Sequence, residues 1–114
     1  MPLDLIAIRR DLHRNPELAF EEKRTSKIIF DTLLTLGLSP RNCAGTGVVV
    51  DIKGEGPGHT VAIRVDIDAL PVEGKTNIDF KSQIKGKMHA CGHDIHTVIA
   101  LGVAEALMRK MPEV

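Results

Sequence analysis

A thiol, three imidazoles and a carboxylate lie within nine residues of this sequence. The run is Met88-His89-Ala90-Cys91-Gly92-His93-Asp94-Ile95-His96. Zn²⁺ and its transition-metal neighbours prefer thiolate and neutral imidazole ligands, and only one residue separates Cys91 from His93. If residues 89–93 are extended, side chains at i and i+2 point the same way and could reach one ion. The spacing alone fits a metal site and fits equally well a small buried Cys91 beside hydrogen-bonded loop histidines.

The residues that follow predict a helix behind this run. Residues 95–107 are mostly apolar, and Pro112 fits the far end of such a helix. Cys91 would then lie just before the helix N-terminus, where the positive end of the macrodipole favours a thiolate. Zinc sites need three or four protein ligands, so two donors do not complete one. A redox-active Cys91 is a weaker alternative, because no resolving cysteine lies close in sequence.

A second segment with chemical potential is the apolar run 61–71, which contains two carboxylates near its end. Asp66 and Asp68 are again i and i+2, so a continuing strand would place them on one face together with Arg64. Two carboxylates on one face repel each other unless a cation or a shared proton intervenes. A metal ion would supply that cation. Residue types alone favour the alternative, a polar strand end in which Asp66 pairs with Arg64.

Three stretches, in this order, resemble the signatures of the M20 metallopeptidase family. They are Leu12-His13-Arg14-Asn15-Pro16-Glu17, Arg64-Val65-Asp66-Ile67-Asp68-Ala69-Leu70-Pro71 and Met88-His89-Ala90-Cys91-Gly92-His93-Asp94. The most similar branch is the amidohydrolase group, which includes hippurate hydrolase, N-acyl-amino-acid amidohydrolases and plant auxin-conjugate hydrolases. Val65 and Ile67 stand where the branch often has Ala and Met, and both keep the strand interior apolar. The resemblance covers nearly the whole chain.

The resemblance implies a two-metal site, with Zn, Mn, Co or Ni as the divalent ions. It places metal-ligand roles on Cys91 and His93. It also identifies Asp68 as the catalytic-site carboxylate of the Asp-x-x-Pro pattern, which orients a ligand. Asp66 falls where related branches carry a metal-binding His, so its role is left open. The remaining motif residues are expected to shape the loop and cap the helix: His89, Asp94 and His96.

The activity implied for the complete protein is that of a metal-dependent amidohydrolase. It would cleave the amide bond of hippurate-like N-acyl amino acids through attack by metal-bound hydroxide. In the family, the general base, the remaining ligands and a lid domain follow the helix, so residues 1–114 are expected to be one truncated unit of the catalytic domain. The isolated chain is then expected to be inactive. The alternative is a non-catalytic remnant or a small metal-binding or interaction module.

Composition and charge exclude other classes of partner. The chain is 43% hydrophobic and 26% charged, as in ordinary globular proteins. Its 15 basic and 15 acidic residues balance, so charge gives no case for binding nucleic acid or an anionic membrane. It has no apolar run of membrane-spanning length, no signal-peptide pattern at its start and no cysteine framework. We expect a cytoplasmic protein with a small-molecule substrate, and a homo-oligomer as in many family members.

The elements predicted around these residues give an α/β fold, with helices packed on a mixed sheet. Apolar spacing predicts a helix over residues 4–14, capped by Asp4 and ended by Asn15-Pro16, and a second helix over 25–36 with Gly37 as its C-cap. Residues 48–52 and 60–65 are predicted as strands of a hairpin joined by a Gly-rich turn, and residues 72–88 as a polar loop. The acidic group around the start of the second helix is predicted to be a solvated cap: Glu17, Glu21 and Glu22.

Overall fold

The first two helices form where their caps predict them. A computed structural model describes residues 2–54, 56–72 and 78–110. Helix α1 spans Leu5–Arg14, and the Asp4 side chain caps it by accepting a hydrogen bond from the N–H of Ala7 at 3.0 Å. Helix α2 spans Lys23–Thr35. After α2, Gly37 takes a φ of +86° and donates to the carbonyl of Leu34, which is the glycine-dependent end that the sequence predicts.

The third helix, α3, spans His93–Lys110 and so begins two residues earlier than predicted. Pro112, predicted at its far end, lies outside the described residues. Helix α3 packs on α1 and α2, and the buried core between these helices consists of Ile29, Leu33, Leu101 and Ala104. No helix in the described part of the chain is long and apolar enough to cross a membrane.

The predicted hairpin between residues 48–52 and 60–65 is wrong. Strand β1, Arg41–Cys43, instead pairs antiparallel with strand β2, Gly47–Val49. Residues 60–68 carry no strand assignment, and Val61 and Ile63 are 77% and 65% exposed. Alternating apolar residues predict a strand, but a strand also needs a neighbour for its ladder of hydrogen bonds. The described residues supply none to 60–65, although three helices and two strands still confirm the α/β class.

Two isolated bridges bring the three signature stretches together. The N–H of Ala69 donates to the carbonyl of Glu17 at 2.8 Å, next to a parallel bridge between Leu18 and Ala69. Leu70 and Met88 exchange both of their backbone hydrogen bonds, at 2.9 and 3.0 Å. Residues 66–70 therefore lie between the N-terminal signature stretch and the run that leads into α3.

The acidic group at the start of α2 does cap the helix, but not all of it is solvated. The Glu17 carboxylate accepts hydrogen bonds from the N–H groups of Arg24 and Thr25, at 3.0 and 2.6 Å. Those N–H groups lie in the first turn, where a helix leaves its donors unsatisfied. Glu22 is only 6% exposed and accepts a hydrogen bond from Thr46, so the prediction of a solvated side chain is wrong for Glu22.

The predicted loop 72–88 contacts α1 where the structure describes it. Residues 73–77 lie outside the described residues. The N–H of Gln83 donates to the carbonyl of Arg14 at 2.8 Å, and the ring of Phe80 packs edge-on against His13 with centroids 5.7 Å apart. The Arg9 guanidinium lies over the same Phe80 ring, 4.8 Å from its centroid. This part of the loop covers the C-terminal half of α1.

Candidate metal centre

The His93 ring has one nitrogen fixed by Asp68. Nδ1 of His93 lies 2.9 Å from the backbone oxygen of Asp68 and 3.0 Å from its carboxylate Oδ1. Both oxygens are acceptors, so Nδ1 must carry the proton and donate. In the neutral ring, Nε2 then keeps a free lone pair. A metal-binding histidine is ordinarily arranged this way, with its second nitrogen donating to a carboxylate or a carbonyl.

Asp66 lies on the other side of the same ring. Its Oδ2 is 3.9 Å from Nε2 of His93, while its Oδ1 pairs with the Arg64 guanidinium at 2.9 Å. The structure therefore contains the Asp66–Arg64 pair that the residue types alone favoured. Both sequence-predicted carboxylates, Asp66 and Asp68, also lie next to His93.

The separation between His93 and Asp66 tests whether a metal fits these residues. Zn²⁺ binds histidine nitrogen and carboxylate oxygen at about 2.0–2.2 Å each, so two ligands of one ion lie no more than about 4 Å apart. The 3.9 Å between Nε2 and Oδ2 is within that limit. The donor types and their separation thus fit part of a metal site. No three His, Cys, Asp or Glu side chains among the described residues form a complete set of ligands.

Cys91 is not gathered with His93 and Asp66. Residues 89–93 are not extended, because Gly92 has a φ of +78° and His93 is already the first residue of α3. The assumption of an extended run is therefore wrong. Cys91 is exposed, immediately before this glycine. Its place before the helix N-terminus agrees with the sequence prediction, and its role as a ligand stays a prediction.

His89 lies in the interior and not at the surface. It is 4% exposed, and neither ring nitrogen has a hydrogen-bond partner among the described residues. Burial lowers the pKa of His89 below its ordinary 6.5, because desolvation disfavours the charged ring; the charge of Asp94 opposes this shift. His89 is therefore a buried neutral imidazole, which is consistent with a role in shaping the loop.

Asp94 is a buried anion held by α1. It is 0% exposed, and its Oδ2 lies 2.8 Å from Nδ1 of His13 and 2.9 Å from Nε of Arg9. Its Oδ1 accepts a hydrogen bond from the N–H of Ile95 at 2.9 Å, within the first turn of α3. The predicted capping role fits this bond. His96 is exposed, with its ring centroid 5.9 Å from that of His93.

Sequence reasoning missed Arg9 and His13 as parts of this region. His13 belongs to a signature stretch, yet nothing local to that stretch shows that it meets Asp94, 81 residues away. In the helical repeat His13 lies beside Arg9 and Arg10 and not on the apolar stripe of the helix, so no local signal indicated that it would be buried. His13 follows the fully buried Leu12 and is itself 3% exposed.

Comparisons with known proteins identify the family to which this chain is similar. The model of Peptidase family M20/M25/M40 matches residues 62–113, which include both aspartates and the run before α3. These residues define the chain as part of an M20-type metallopeptidase fold. Together with relatives that are 45–50% identical over at least 90% of this chain, the match confirms the resemblance, and the chain belongs to the M20 family.

Several of its relatives are named as hydrolytic enzymes. Thermostable carboxypeptidase 2 of Saccharolobus solfataricus is 50% identical over 92% of this chain and 27% of the relative. The N-acyl-L-amino acid amidohydrolase of Geobacillus stearothermophilus is 45% identical over 90% of this chain and 28% of that protein. Among solved structures, the Bacillus subtilis YXEP protein, a dinuclear metal binding peptidase from M20 family, superposes with a TM-score of 0.90. It is 45% identical, over 94% of this chain and 30% of that one. The chain spans less than a third of the length of these relatives.

Proposed function

We propose that the intact protein is a metal-dependent amidohydrolase that cleaves the amide bond of hippurate-like N-acyl amino acids. The observation that carries the proposal is the His93 ring, whose Nδ1 donates to Asp68 so that Nε2 is free to bind a metal ion. Relatives named as an N-acyl-L-amino acid amidohydrolase and as carboxypeptidases support amide hydrolysis, since both names describe cleavage of an amide bond.

The proposed roles of this chain's residues follow from their positions. His93 and Cys91 are ligands of two divalent ions, and Asp66 is a further donor on the face opposite Asp68. Asp68 holds the ring of His93 in the tautomer that a metal requires. When bound, the ions supply Lewis acidity for the scissile carbonyl and activate water near neutral pH. Cys91 acts as a ligand and not as a nucleophile.

The rest of the intact protein, its substrate and its cellular location complete the proposed function. Residues 1–114 form one part of the catalytic domain, and the general base and the other ligands belong to the rest of the intact protein. The substrate is a small N-acyl amino acid and neither nucleic acid nor membrane, in line with a formal net charge of zero. A reducing cytoplasm keeps the exposed Cys91 thiol free for metal. A homo-oligomeric intact protein is proposed from the family resemblance alone.

The test compares two cysteine variants of the intact protein. Cys91→Ala should lose bound metal and hydrolysis of hippurate and N-acetyl amino acids, whereas Cys43→Ala, which removes the other exposed thiol, should match the wild type. Metal content is measured by mass spectrometry after dialysis, and hydrolysis by release of the free amino acid. If Cys91→Ala keeps wild-type metal content and activity, the ligand assignment is wrong. Metal uptake with no turnover of any N-acyl amino acid would instead support the metal-binding module.

A further inference from the structure

We propose that Asp94 and His13 are positioning residues of the metal centre, which set the orientation of the His93 ring through the first turn of α3. The inference rests on the proposed role of His93 as a ligand. It gives a function to the N-terminal signature stretch, which contributes no ligand of its own among the described residues.

Asp94 uses both carboxylate oxygens to join two helices. Oδ2 faces His13 and Arg9 of α1, while Oδ1 accepts from the N–H of Ile95 in α3. A fully buried carboxylate is costly to desolvate unless charges and donors compensate it. These contacts compensate the charge and fix the start of α3 relative to α1. His93 is the residue immediately before Asp94, so its backbone is fixed by the same contacts.

His13, one of the two side-chain partners of Asp94, is itself closed off from water, whereas the Arg9 side chain is 26% exposed. His13 is 3% exposed, and Nδ1 of its ring must donate because a carboxylate oxygen only accepts. The Phe80 ring covers His13 edge-on and lies under the Arg9 guanidinium. With water excluded, the charge-assisted bond between His13 and Asp94 is stronger than a similar bond at the surface.

The same N-terminal stretch also holds the other side of the centre. Four residues after His13, the carbonyl of Glu17 accepts from the N–H of Ala69 at 2.8 Å. Ala69 follows Asp68, whose two oxygens hold Nδ1 of His93. Residues 13–17 thus contact the segment carrying Asp68 on one side and the helix carrying His93 on the other. A shift of α1 relative to α3 would therefore change the separation between Asp68 and His93.

Small changes in this separation matter, because protein metal sites keep ligand distances within about 0.2 Å of their preferred values. If the ion pair only stabilised the fold, its loss would lower the melting temperature and leave the metal geometry unchanged. If the pair positions His93, its loss should change the orientation of the His93 ring and the affinity for the metal. Measurements on the metal site itself therefore separate the two roles.

The experiment compares Asp94→Asn with Glu22→Gln in the intact protein. Glu22 is also a buried carboxylate, but its described side-chain bond is to Thr46 in the β1–β2 loop. In the metal-free protein, ¹⁵N NMR of the His93 imidazole should show the Nδ1–H tautomer for the wild type and Glu22→Gln, and a mixture of tautomers for Asp94→Asn. Co²⁺ should bind Asp94→Asn about 10–100-fold more weakly, the usual effect of removing a group that supports a ligand, with a changed visible absorption spectrum.

A wild-type tautomer, Co²⁺ affinity and spectrum in folded Asp94→Asn would overturn the proposal. If Asp94→Asn does not fold, His13→Gln decides in the same assays, because glutamine still donates a hydrogen bond but lacks the ring. His13→Gln should show a smaller loss of Co²⁺ affinity and the same mixing of tautomers, and wild-type values there would overturn the proposal too. Failure of the proposed function looks different: the wild type itself would not bind Co²⁺, while the tautomer measurement would still test the positioning of His93.

Discussion

Removing the Asp68 side chain tests how His93 is held. In Asp68→Ala, Nδ1 of His93 keeps its bond to the backbone oxygen of residue 68 at 2.9 Å and loses the carboxylate oxygen at 3.0 Å. The tautomer is thus retained in part, while the negative charge that supports the ring is lost. We expect metal to bind more weakly without unfolding of the protein.

The magnitude follows from the bond that is lost. A hydrogen bond to a charged group contributes about 1.5–3 kcal/mol net, and every 1.4 kcal/mol is about tenfold in affinity. Asp68→Ala should therefore weaken metal binding by about 10–100-fold, which also matches the general effect of removing a group that orients a ligand. The Asp68 side chain is 29% exposed, and solvent screening places the expected value towards the lower end. Asp68→Asn keeps an acceptor oxygen without the charge, so its loss should be smaller, about fivefold.

The assay is competition for Zn²⁺ between the intact protein and a chromophoric chelator. Asp51→Ala is the matched control, because Asp51 is an acidic residue paired with Arg41 at 3.0 Å, outside the candidate centre. Equal affinity of Asp68→Ala and the wild type would refute the reasoning. An equal loss in Asp51→Ala would show that the effect comes from overall charge and not from the His93 contact.

Two further predictions concern stability. Leu101→Ala should lower the free energy of unfolding, measured by urea titration, by about 2–5 kcal/mol, because Leu101 is 2% exposed in the core. Leu34→Ala is the control and should cost much less, because Leu34 is 50% exposed. Equal losses in the two variants would contradict the placement of Leu101 in the core. Burial lowers the pKa of His89 in the folded state, so below its unfolded value of about 6.5 the unfolded chain binds the extra proton. The free energy of unfolding of the metal-free protein should then decrease as pH falls below about 6.5, by at most about 1.4 kcal/mol per pH unit. His89→Gln should remove this dependence of stability on pH. An unchanged dependence in His89→Gln would show that His89 is not its source.

The features that could be predicted from sequence are those fixed by local chemistry. Asp4 and Gly37 mark helix ends because a side-chain acceptor and a left-handed conformation satisfy backbone groups within a few residues. Asp66 and Asp68 both lie beside the His93 ring, but they face different ring nitrogens and residues 60–68 carry no strand assignment, so the shared face of a strand does not account for their positions.

The features that could not be predicted depend on partners far along the chain. Residues 60–65 have the alternation of a strand, but strand pairing is decided by neighbours that a local pattern does not contain. Cys91 and His93 have metal-site spacing, yet the positive φ of Gly92 turns the chain between them. Glu22 is buried, and its side-chain partner Thr46 lies 24 residues away along the chain.

The three signature stretches contact one another, which explains why the presence of all three in one chain indicates a site. The 13–17 stretch holds Ala69 through one backbone bond and Asp94 through a buried charge pair. The Leu70–Met88 bridge then joins the aspartate segment to the run before α3. Each stretch contacts the other two, so the geometry around His93 depends on all three. A change in the N-terminal stretch should therefore alter metal binding, although no candidate ligand lies within it.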